Sequence, residues 1–110
     1  MALWDKLKQE LDRAGHAAQE AIDEGRVRLD VLRARKLADK AAQGIGYALY
    51  RARQRGQDLD PETYAQLSSA LAAHEAEAAR LEERLESWAR ARRSRRAHDA
   101  SPPPSEPPAP

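Results

Sequence analysis

The chain has three histidines, His16, His74 and His98, and they are too far apart to read as a metal site. Helical metal sites place His and carboxylates on one face, as in HExxH or paired Glu-x-x-His, and His74-x-x-Glu77 is the nearest approach. At its position His74 reads as a packing residue facing Ala41. The acidic group Glu75, Glu77, Glu82, Glu83 and Glu86 supplies carboxylates, but general acid–base work needs them converging in a cleft. They read instead as a solvated helix face. Ser68 and Ser69 have no neighbouring base, and Gly44-Ile45-Gly46 lacks the preceding strand that a phosphate-binding loop requires. Its expected role is close helix packing opposite Leu71. With no cysteine in 110 residues, disulfides, thiolate metal sites and cysteine nucleophiles are excluded. No catalytic, metal or cofactor residue emerges, and neither an enzyme nor a small-molecule binder is expected.

Two features could serve binding. Arg90, Arg92, Arg93, Arg95 and Arg96 put five arginines within seven residues, either as a basic helix end that complements the helix dipole or as a site for an anionic partner. Only Trp88 lies close to them, so the aromatic interleaving of a nucleic-acid surface is missing and binding would be salt-sensitive and sequence-independent. The second feature is an apolar stripe of Trp4, Leu7, Leu11, Ala14, Ala18 and Ile22, continued by Leu29 and Leu32. Residues 3–24 carry Lys6, Lys8 and Arg13 against six acids, a net of −3. That sign opposes attraction to anionic lipid, so a membrane surface is disfavoured and protein packing is the better account.

The elements that must carry these residues are helices. Charged residues make up 34% of the chain, Phe is absent, and Ala dominates the apolar count, as expected of long solvated helices. The clearest punctuation is Arg55-Gly56-Gln57-Asp58-Leu59-Asp60-Pro61, a helix stop followed by a start. Gly56 can take the left-handed conformation, Asp60 is a good N-cap, and Pro61 sits where a missing amide hydrogen costs nothing. Leu59 and Tyr64 stand at the positions of a hydrophobic staple.

Downstream, Tyr64, Leu67, Leu71, His74, Ala78, Leu81, Leu85 and Trp88 alternate steps of three and four, the seam of a coiled coil. Upstream, Val31, Ala34, Ala38, Ala41, Ile45, Ala48 and Ala52 repeat the pattern with smaller residues, and Val27, Leu37 and Leu49 lie at its margins. Folding at the turn sets Tyr64 near Ala52, Leu71 near Ile45 and Leu85 near Val31. Residues 26–55 carry nine Lys or Arg against two Asp, a net of +7, and residues 61–88 carry two Arg against six Glu, a net of −4. Opposite signs favour pairing the two helices within one chain.

At about 100° per residue, the Trp4 stripe is centred opposite the Val31 to Ala52 stripe. Either the chain bends near Gly25 and residues 2–24 fold back as the third helix of a bundle, or a long helix offers the stripe to another molecule. Gly15 and Gly25 permit a break without forcing one. The expected fold is all-α: an N-terminal amphipathic helix over 1–24, an antiparallel helical hairpin over 26–97 with its turn at 56–60, and a disordered Pro-rich tail over 98–110. Pro104-Ser105-Glu106-Pro107 matches P-x-x-P, a pattern that short Pro-rich stretches meet easily.

The segment Trp4-Asp5-Lys6-Leu7-Lys8, followed by Gly46-Tyr47-Ala48-Leu49-Tyr50 and Gly56-Gln57-Asp58-Leu59-Asp60, resembles a loose class of small prokaryotic helical-hairpin proteins over roughly residues 3–90. Some of that class carry a C-terminal zinc ribbon. This chain has Arg and Pro there, so no ribbon function is implied, and the class brings no established activity. The sequence alone points to a cytoplasmic interaction or scaffolding protein that self-associates or docks a protein partner through the Trp4 to Leu32 stripe. The alternative is a nucleic-acid-binding accessory protein using the arginines. The N-terminus, with Asp5 and Lys6 interrupting any apolar run, reads as neither a secretory signal nor a membrane span.

Overall fold

The computed structural model describes residues 2–100, which form two helices: α1 over Ala2–Gln54 and α2 over Pro61–Ala100. The helices pack as an antiparallel hairpin. No strand occurs among the described residues. At 1.5 Å per residue α1 is about 80 Å long.

The turn is built as its residues require. Gly56 has φ of 72°, a left-handed conformation in which a Cβ would meet its own backbone. That conformation lets the Gly56 amide donate to the Arg53 carbonyl at 3.0 Å and the Gln57 amide to the Ala52 carbonyl at 2.9 Å, the pair of bonds that closes a helix in the Schellman manner. Four residues later the Asp60 carboxylate accepts from the Thr63 amide at 3.2 Å and caps α2. Leu59 is half-buried beside the joint, whereas Tyr64 is 53% exposed.

The helices meet along the two expected stripes. Val27, Ala34, Ala38 and Ala52 of α1 and Ala78 and Leu81 of α2 are buried, and Val31, Leu85 and Trp88 pack against the part of this seam formed by Val27, Ala34, Ala78 and Leu81. Leu67, Leu71 and His74 are half-buried on α2, as are Ala41, Ile45 and Ala48 on α1. Tyr64 was expected to open the α2 stripe but stands outside it, and half-buried Thr63 lies closer to the seam. The reason is angular drift: an α-helix turns by 3.6 residues, so a strict three-and-four pattern walks off a straight face over several turns. Four of the six buried side chains are Ala, which keeps the core thin.

One open choice is decided and two further sequence expectations change. Of the two courses left open for residues 2–24 the long helix holds: α1 passes through Gly15 and Gly25 without interruption, and no third helix of a closed bundle forms among the described residues. A helix that already has its backbone hydrogen bonds on both sides of an isolated glycine loses only about 1 kcal/mol there, too little to break it. Residues 98–100, expected in the tail, complete α2, while 101–110, including the P-x-x-P match, lie outside the described residues. Gly44 and Gly46 are not sites of close helix approach, because a Cβ built on either meets no atom within 4 Å.

Candidate interaction surface

The hairpin's register decides which side chains are left without a partner. Glu20 pairs with Arg95 and Glu24 with Arg92, and α2 ends five residues beyond Arg95. In an antiparallel pair those five residues bring Ala100 level with about Gly15, so α1 from there back to Ala2 has no α2 beside it. Over the rest of α1, α2 covers the face that holds Val27, Ala34 and Ala38, and the opposite face stays open.

The Trp4 stripe occupies that open face. Trp4 is 62% exposed, Leu11 64% and Leu32 67%, and Leu7, Ala14, Ala18, Ile22 and Leu29 are exposed with them. On α1, therefore, most of the larger apolar side chains are outside, while its seam face is mostly Ala with Val27, Val31 and Ile45. A contiguous apolar band of this length marks an association site more often than an accident of surface composition. Sequence reasoning missed its continuation. Carrying the three-and-four spacing past Leu32 passes through exposed Lys36, Lys40 and Gln43 and reaches Tyr47 and Tyr50, 63% and 61% exposed. The guanidinium of Arg51 lies 6.0 Å from the Tyr47 ring centre.

The arginine cluster has a different fate. Arg92 reaches across to Glu24 with two hydrogen bonds of 2.5 and 2.7 Å, a bidentate pair at the seam's last layer. Arg95 lies 3.8 Å from Glu20 on the facing helix. Arg90 pairs with Glu83 at 3.0 Å, and Arg93 with Glu86 at 3.4 Å, both on α2 itself. Arg96 makes no ion pair among the described residues. The acids of the N-terminal segment thus neutralise part of the basic end of α2. Continuing the two stripes by one more step identifies Glu24 and Arg92 as seam positions, a signal the apolar pattern alone conceals.

Electrostatics concentrate at that pair. The hydrogen bonds from Arg92, aided by Arg28 one turn along α1, hold the Glu24 carboxyl at about 2, against an ordinary 4.5 and in spite of partial burial. Glu77 is lowered by its hydrogen bonds from Arg80, one turn along α2. Across the middle of the hairpin Arg35 donates to Glu82 at 2.8 Å. A shallow groove at the open end is lined by Glu20, Asp23, Glu24, Trp88, Arg92 and Arg95, whose charges answer one another. No group of three or more metal-ligating side chains converges among the described residues, and none of their helices is long and apolar enough to cross a membrane. No family model, curated protein or solved structure matches this chain.

Proposed function

We propose that this is a non-catalytic interaction or scaffolding protein of the cytoplasm whose working surface is the outer face of α1. The observation that carries the reading is the inversion of side-chain size on α1: Trp4, Leu7, Leu11, Ile22, Leu29 and Leu32 are exposed on its outer face while its seam face is mostly Ala. An Ala-rich seam buries little apolar area, and a two-helix hairpin stabilised by so little gains from any partner that covers the remaining stripe. The helix is continuous, so it presents these residues on one face and lowers the backbone ordering cost of binding. The resemblance to small prokaryotic hairpin proteins fits this reading and adds no activity to it.

Nucleic-acid binding through the arginines is the weaker reading, because Arg90, Arg92, Arg93 and Arg95 are already engaged by glutamates. The test of the preferred reading compares the parent with Leu7→Glu and Leu11→Glu in dilute solution. A docking surface leaves the variants as helical, and as stable to heat, as the parent, while their association is lost. If both changes unfold the dilute monomer, the stripe is internal core and the reading fails.

A further inference from the structure

We propose that the outer face of α1 binds the same face of a second copy of this chain, antiparallel and centred on Ala18. The inference rests on the interaction reading above and names its partner. From Trp4 to Leu32, with Gly25 included, the stripe advances by steps of 3, 4, 3, 4, 4, 3, 4 and 3. That series reads the same in both directions about Ala18. Two antiparallel copies therefore meet layer by layer: Trp4 on Leu32 of the second copy, Leu7 on Leu29, Leu11 on Gly25, Ala14 on Ile22, and Ala18 on its own symmetry mate. The contact is isologous and closes on two chains.

Side-chain size supports this orientation. Leu11 fits against Gly25, where a Cβ would meet nothing within 4 Å beyond the adjoining backbone of its own helix, and Ile22 fits against Ala14. Large opposite small in these layers balances their volume, with Trp4 on Leu32 and Leu7 on Leu29 as the large layers at the two ends and Ala18 on Ala18 at the centre. A parallel pair in register would set Leu11 on Leu11 and Gly25 on Gly25, alternating crowding with gaps that forfeit packing contacts.

Charge agrees with it. On one flank Glu10 falls beside Arg28 of the second copy. On the other, Lys8 and Asp12 run alongside Arg26 and Asp30, two of each sign, so no uncompensated repulsion opposes the pairing. The face turns polar at Lys36, Lys40 and Gln43, which in this register lie beyond Trp4 of the second copy and need no apolar partner. α2 covers the opposite side of α1 and leaves the approach clear. The contact extends over about 42 Å of helix.

The chain has no cysteine, so introduced thiols report geometry without background. We expect sedimentation equilibrium of the full chain to move from 12.3 kDa toward twice that mass as concentration rises. Under mild oxidation Leu11→Cys/Gly25→Cys should give a covalent dimer, while Leu11→Cys and Gly25→Cys alone should not, with helicity checked for each. The two positions are about 21 Å apart on one helix, so they cannot join within a chain. A covalent dimer from Leu11→Cys alone would show a parallel pair and overturn the proposal, as would a monomer at every concentration. In the monomer case, unchanged heat stability of Leu7→Glu leaves the docking reading standing with another protein as partner, and a destabilised monomer removes both.

Discussion

Glu24 and Arg92, 68 residues apart in sequence, close the open end of the hairpin through a bidentate ion pair at the last layer of the seam. Because the Glu24 side chain is only 14% exposed, this pair is placed to act as a latch, while the other ion pairs lie on the open flanks.

The latch makes stability depend on acid. Glu24 titrates at about 2 in the folded chain against an ordinary 4.5, so its contribution is complete above about pH 4.5 and is lost as the pH falls toward 2. Arg92 stays charged throughout. The thermal midpoint followed by circular dichroism should fall across that window, and Glu24→Gln should flatten the fall. Glu77→Gln should flatten it less, because the Arg80 pair that lowers Glu77 lies within α2 and does not hold the two helices together.

The glycines should separate by backbone conformation. Gly56→Ala, at φ of 72°, is expected to cost about 1 kcal/mol in urea unfolding. Gly44→Ala has open space around its Cβ within a regular helix and should stabilise by about 1 kcal/mol. Equal effects of the two would argue against the turn as described.

Removing the cap at the start of α2 by Asp60→Ala should cost about 1 kcal/mol, since the Thr63 amide loses its acceptor. By contrast, Arg35→Ala removes an exposed cross-hairpin pair and should change stability by only about 0.5 kcal/mol. Both are read from equilibrium unfolding of the same preparation.

Association should respond to Gly25 in a way that the isolated hairpin does not. Gly25→Leu leaves a single chain unstrained, because nothing lies within 4 Å of the added Cβ. It fills the slot that receives Leu11 of the second copy, so the dimer should weaken and the sedimentation mass should rise toward twice that of one chain only at higher concentration. An unaltered dimer would place the contact elsewhere.

Much of this arrangement was legible in the residues. Gly56, Asp60 and Pro61 specify the turn locally, and the spacing from Leu67 to Trp88 specifies the face of α2, because helix ends and helix faces are set by short-range rules. The path of α1 through Gly25 was not legible: the choice between bending back and running on turns on about 1 kcal/mol of helix propensity against burial that only tertiary structure defines. Tyr64 was misplaced at the seam because spacing of three and four cannot say where a straight helix drifts off a neighbour. The outer stripe was visible as a set of residues, but its exposure depends on α1 running straight past Gly25 instead of folding back. The glutamate partners of the arginines were hidden for a related reason, since Glu20 and Glu24 approach them only once the register of the hairpin is fixed.

The unbroken course of α1 also defines a length. From Ala18 to the turn at Gly56 is about 57 Å of helix, so two chains joined about Ala18 would hold their turns about 110 Å apart, facing opposite ways. Such a pair is a spacer: whatever binds at the two tips would be kept at a set separation by helix rise alone, and inserting or deleting whole turns of α1 between Leu32 and the hairpin tip, matched in α2, would reset the distance without disturbing either contact.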